Sequence, residues 1–345
     1  MALLSFNTWS IFFVRYHILS SLSFLKKFRP TTSANSFSKL LPVIFIFVFA
    51  AVFVPLIGPL FLFLLPMILF LNGSINGSIK TSAVFLVSFS LLLILAIILR
   101  LDVPAIAVFT MGVAGILMSQ IAAKNYSVEK TIIYPALFII GAVCFYFIYD
   151  AVALGVNPWQ LVKNYITVTI QEFVKQYSQL PLQAENINLI KDNEKNIIIG
   201  FIQIFPSMVI ILSVLIIWLN LLLGKDYLQR AGIVYPGFAA LVRWKVPDLI
   251  IWIFIISGAL FFMPQKDINF LSLNVFWVVC FIYLLQGLAI VGFLFQSKNV
   301  PSFFRYFFYF LIAVQQILMI PIMAIGLFDM WIDFRKLIHK DQTTA

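Results

Sequence analysis

Charge-free runs set the terms for this chain: residues 40–79, 81–99, 103–123, 131–149, 196–224, 249–265, 268–297 and 306–328 each lack Asp, Glu, Lys and Arg. A bilayer core roughly 30 Å thick is crossed by about 20 helical residues. Inside it the backbone must satisfy its own hydrogen bonds, which leaves helices or a closed barrel. The short alternating segments of an outer-membrane barrel are absent. The expected fold is therefore all-α, a polytopic transmembrane helical bundle of eight or nine spans with one interfacial amphipathic helix.

Composition agrees, with 63% hydrophobic and 10% charged residues against about 25% charged in soluble domains. A net charge of +10 in a soluble chain would suggest nucleic acid, but here the basic residues flank apolar runs, where they orient helices and meet anionic lipid. No nucleic-acid partner is needed. Cys144 and Cys280 fall inside expected spans without a CxxC pair or a nearby His, so neither a disulfide framework nor a zinc site is indicated. Residues 1–40 hold Arg15, Lys26, Lys27, Arg29 and Lys39 and no acid; they resemble a transit peptide superficially, and a cytoplasmic basic tail more closely.

The chain divides into that N-terminal tail (1–40), N-terminal membrane helices (41–156), an extramembrane segment (157–195), C-terminal membrane helices (196–336) and a polar tail (337–345). As one straight helix residues 40–71 would be about 48 Å long, too long for one crossing. Pro55, Gly58 and Pro59 predict a bend between helices at 41–56 and 59–71. NGSI then occurs twice, at 72–75 and 76–79, and its Asn-Gly pairs predict turns. Basic residues divide equally well for one or two crossings of 40–71; the long 150–195 excursion, which translocates with less regard to charge, favours two.

In that excursion Asn157 and Pro158 form a helix-start signal. Trp159, Val162, Ile166, Ile170, Phe173 and Tyr177 follow at helical spacing, opposite a polar face. This predicts an amphipathic helix lying in the membrane interface, with Trp159, Ile166 and Phe173 buried against lipid or the bundle, followed by a polar loop over 178–196. Further on, LVRWKVPDLIIW (241–252) places Arg243, Trp244 and Lys245 before an apolar run, as interfacial anchors would be placed. Trp331 fits the same role.

The C-terminal GLFDMWIDFRK (326–336) is less ordinary. Carboxylates in the last turn of a helix meet the negative end of its dipole, so Asp329 and Asp333 stand against local preference. They are four residues apart and share a helical face; Lys336 can pair with Asp333. With Arg335 they make the strongest candidate for a solute-binding cluster, the competing reading being a salt-bridged helix end. Asp150, just inside a membrane boundary, and Gln286, beside a Gly287 that lets a helix or ligand approach closely, join the candidates. Gln203, Asn220, Asn274, Gln315 and Gln316 are expected to hydrogen-bond between helices. No nucleophile, phosphate-loop or metal motif occurs; His17 and His339 lie in the tails. No enzyme activity, cofactor or metal is expected.

The motifs VPLIGPLFLFLLP, GVNPW, RWKVPD, IYLLQGLAIVGF and GLFDMWIDFRK, in this order over residues 40–336, resemble the YybS-like family of predicted bacterial membrane proteins. That family is distantly similar to the substrate-binding S components of energy-coupling-factor transporters. The resemblance implies a multi-pass protein of the bacterial inner membrane, possible capture of a small solute, and partner proteins in a transport complex. The competing implication is an envelope or assembly scaffold. S components dock through small residues four apart on the first helix, whereas here Ala50 and Ala51 are followed at that spacing by Val54 and Pro55.

Overall fold

A computed structural model describes residues 35–54, 57–99, 104–179, 184–233 and 241–336. These form twelve α-helices and short 3₁₀ turns, with no strand among them. In chain order they are α1 (Asn35–Phe53), α2 (Gly58–Asn76), α3 (Ser78–Leu99), α4 (Ala105–Ala123), α5 (Val128–Leu154) and α6 (Pro158–Tyr177). After them come α7 (Ala184–Asp192), α8 (Glu194–Arg230), α9 (Ile250–Leu260), α10 (Lys266–Ser297), α11 (Ser302–Val314) and α12 (Met319–Ile332), the last preceded by the 3₁₀ turn Gln316–Leu318. Most of the basic N-terminal tail and the polar tail 337–345 lie outside the described residues.

Six helices, α2, α3, α4, α5, α8 and α10, are long and apolar enough to cross a membrane. The bent pair α11 and Gln316–Ile332, which meet at 106°, raises the number to seven if counted as one span. The apolar parts of α1 (Leu41–Phe53) and α9 are shorter than a full crossing, which is why the eight charge-free runs yield fewer full-length helices than the eight or nine spans expected.

The expected break before Gly58 occurs. Asn-Gly chemistry, however, loses its first contest: α2 continues through Asn72 and Gly73 and stops only at Gly77, whose φ of 92° suits glycine. The apolar helix preceding it supplies a propagating ladder that one turn-forming pair does not interrupt. The loop expected over 178–196 is also corrected, since α7 and the first turn of α8 occupy much of it. Both begin with glutamates in the first turn, where the helix dipole favours them.

The molecule forms two compact units. One comprises residues up to Pro135 with Ile216–Phe238; the other comprises Ala136–Leu215 with the residues from Ala239 onward. In the first, α1 to α4 enclose a core that includes Ile44, Leu65, Leu69, Phe85 and Leu92. Small residues let these helices close up. A Cβ on Gly115 would lie 2.5 Å from the Pro66 carbonyl oxygen, and one on Gly112 would lie 2.0 Å from the Phe85 ring. This small-residue packing is how membrane helices associate where lipid supplies little hydrophobic drive. Ala50 and Ala51 are themselves buried, with a Cβ on Gly58 only 2.8 Å from the Ala51 carbonyl oxygen. The second unit centres on Val246, Ile251, Val279 and Tyr283, packed by Trp244, Phe254, Met323 and Leu327.

Candidate functional site

In the second unit α10 and α12 touch backbone to backbone. A Cβ on Gly287 would fall 1.9 Å from the Ile322 carbonyl oxygen, and one on Gly326 would fall 2.0 Å from that of Tyr283. The close approach expected at Gly287 is therefore made, and by a helix. It brings Gln286, 2% exposed, within reach of Asp329, 1% exposed.

Asp329 is the hub of a buried polar network. Its Oδ2 accepts from Gln286 Nε2 and from Arg335 Nη1, both at 3.0 Å, while Oδ1 accepts from the Phe334 N–H at 3.0 Å. Gln286 uses its other end to accept from the Val246 N–H at 3.1 Å, and Arg335 Nη2 donates to the Trp244 carbonyl at 2.7 Å. Arg335 Nε is buried without a partner. The network joins α10, the end of α12 and the segment ahead of α9. It also answers the electrostatic objection to an acid at a helix C-terminus, because a guanidinium only 13% exposed neutralises the carboxylate.

Asp329, Gln286 and Arg335 thus come together, and the other two acid candidates do not join them. Asp333 shares a face with Asp329 only if the helix continues, but α12 ends at Ile332 and Asp333 caps it in the left-handed region, with φ 46°. Its N–H donates to the Asp329 carbonyl, and its carboxylate meets Lys336 Nζ at 2.8 Å. That hydrogen bond to Lys336 is the main cause holding the Asp333 carboxyl below its usual range, and it raises the Lys336 ammonium correspondingly. Asp150 lies in α5, one turn beyond Tyr146.

The expected anchors separate as well. Arg243 and Lys245 are exposed, Lys245 lying 3.9 Å from Asp248, and Trp331 is 60% exposed. Trp244 is half-buried against the second unit's core, with its carbonyl engaged by Arg335. Helix α6 starts as expected, the Asn157 side chain accepting from the Trp159 N–H. Its buried stripe is Val162, Ile166 and Val174, while Phe173 lies on the protein surface and not against the bundle. The Trp159 ring packs edge-on against Phe270. There it helps wall an open depression of about 690 Å³, shared with Gln203, Lys266, Asp267 and Asn269.

The two backbone donors that complete the Asp329 network, Val246 and Phe334, carry no sequence signal of that role. Val246 precedes Pro247 and Phe334 follows the left-handed Asp333, so both are freed from helical pairing. Among the described residues no group of three His, Cys, Asp or Glu side chains is placed to hold a metal ion.

Several membrane-length apolar helices, packed through glycine contacts and pinned by one buried ion pair, define a polytopic α-helical membrane protein. The chain belongs to the family described as "Predicted membrane protein (DUF2232)", whose model matches residues 42–330. It is 25% identical over 300 residues to the uncharacterized protein YybS of Bacillus subtilis (strain 168), an alignment that covers 83% of this chain and 91% of that one. No solved structure matches.

Proposed function

We propose that this protein is a non-catalytic scaffold of the bacterial inner membrane, and that the Asp329 cluster is a clamp closing its C-terminal helices rather than a solute site. One observation carries this reading: both carboxylate oxygens of Asp329 are occupied by protein donors, within a pair of helices in backbone contact. A ligand would have to break bonds there that are costly to leave unmade. The buried Ala50 and Ala51 argue in the same direction, since they are used within the chain and not offered to a transporter partner. A bacterial relative and the run of apolar helices support the location. In this reading α1 and α9 complete eight or nine membrane segments, and α6 lies in the interface with its polar face to water. Retention of the protein's envelope partners by a charge-free Asp329→Leu/Arg335→Leu variant is the test; their loss would return the cluster to the list of binding sites.

A second reading, capture of a small solute as in energy-coupling-factor S components, is favoured by a different place. The depression beside Trp159 contains an ammonium, Lys266, and a carboxylate, Asp267, that make no ion pair among the described residues. Mass spectrometry of small molecules retained by the purified protein and by its Lys266→Gln/Asp267→Asn variant tests it. A compound lost only from the variant supports capture there, and identical profiles oppose it.

A further inference from the structure

Two proline-containing helices are bridged in the same unusual way. In α2, Pro66 has no N–H and so leaves Leu62 without its ladder donor. The next bond, Met67 N–H to the Phe63 carbonyl, is one that proline does not forbid. Yet the Met67 N–H donates to Asn220 Oδ1 at 2.9 Å, and the Phe63 carbonyl accepts from Asn220 Nδ2 at 2.9 Å. The pattern recurs at Pro206 in α8. The Ser207 N–H donates to Asn274 Oδ1 at 2.8 Å, and the Gln203 carbonyl accepts from Asn274 Nδ2 at 2.9 Å. Each asparagine also donates Nδ2 to the carbonyl four residues back in its own helix, Ile216 and Phe270 respectively. Both amides are buried, Asn220 at 0% and Asn274 at 8% exposure.

One side-chain amide therefore stands between the two backbone groups that a helix would join directly, once in each compact unit. The flanking sequences are alike only in outline: FLLPM and QIFPS at the prolines, WLNLL and SLNVF at the asparagines. A helix whose opened rung is held by one amide from a neighbour has a second arrangement within reach, in which the amide withdraws and the rung closes on itself. The helix backbone groups stay satisfied in both arrangements, so the exchange leaves no orphaned backbone donor; the withdrawn amide keeps the bond to its own helix and gives up the two to its neighbour, a cost that favours the inserted arrangement.

We propose that these asparagine-bridged prolines are two-state hinges, bent while the amide is inserted and straighter when it withdraws. At the second hinge Ile202, Gln203 and Phe270 also wall the depression beside Trp159, so the hinge moves part of that wall. The proposal does not depend on whether the depression holds a solute.

Spin labels at Lys195 on α8 and Trp277 on α10, both exposed and both in the second unit, report the bend. Lys195 stands eleven residues ahead of Pro206, an arm of about 16 Å, so relaxing a kink of about 20° moves it by about 5 Å. Asn274→Leu, which keeps volume and removes the amide, is expected to shift the distance distribution by that amount in the full-length protein. Asn274→Asp retains the acceptor for Ser207 and removes the donor to Gln203; it is expected to show both populations, and it serves alone if the leucine variant does not accumulate. Distributions superimposable on that of the unsubstituted protein would make the asparagines fixed staples and overturn the hinge.

Discussion

Removing Arg335 should harm the protein more than removing its partner. Arg335→Ala strips Asp329 of its only counter-charge among the described residues while the carboxylate stays 1% exposed between α10 and α12. An uncompensated buried charge of this kind costs about 3–5 kcal/mol. Asp329→Leu leaves a guanidinium that is 13% exposed and sits at the chain's exit from the helix, where it can turn toward water. The remaining loss, chiefly unmet hydrogen bonds at Gln286 and Phe334, is about 1–3 kcal/mol. Replacing both with leucine should recover most of the loss, because a buried ion pair is often no better than well-packed apolar residues. Thermal denaturation of detergent-purified variants at matched protein and detergent concentrations gives the ranking. Midpoints ordered double variant, then Asp329→Leu, then Arg335→Ala from highest to lowest support the clamp. Arg335→Ala melting with the unsubstituted protein, or no recovery in the double variant, refutes the reasoning.

Gly287→Ala and Gly326→Ala should each destabilise by about 1–3 kcal/mol or more through overpacking, although alanine is the better helix former by about 1 kcal/mol; thermal midpoints measure the sign. Asp333→Gly should be neutral or slightly stabilising, since it relieves a left-handed residue at φ 46° and gives up only a surface ion pair and an exposed hydrogen bond with Lys336. Because Lys336 depresses the Asp333 carboxyl, the pair's contribution is full above the ordinary carboxylate value of 3.8 and disappears as pH falls through the lowered one. Titration of the Asp333 side chain by carbon NMR should therefore give a midpoint below 3.8, moving up to the ordinary value in Lys336→Gln. Arg335→Lys should lower the midpoint as well, because one ammonium cannot reproduce the fork that reaches both Asp329 and the Trp244 carbonyl.

Much of this arrangement is legible in the sequence because apolar length and glycine placement act locally. Charge-free runs mark the long helices, Gly287 marks the closest helix contact, and Asp329, Arg335 and Gln286 stand out as polar groups in apolar surroundings. Helical periodicity does not hold past a helix end: Asp333 leaves the face of Asp329 because the backbone turns left-handed at that residue. Asn72-Gly73 failed as a turn because an apolar helix was already propagating through it. Asn220 and Asn274 were recognisable as interhelical hydrogen-bonding residues, but their targets were not. Each asparagine serves the rung next to a proline far away in sequence, and such pairings are fixed by tertiary packing. Val246 and Phe334 escaped notice for a related reason, since a backbone donor has no side-chain signature.

Native mass spectrometry of small molecules retained by the unsubstituted protein and by Asp329→Leu/Arg335→Leu tests most directly whether the buried cluster is a clamp. The two proteins are expected to carry the same complement of retained compounds. A compound held by the first and missing from a folded double variant would make Asp329 and Arg335 a binding site and contradict the account.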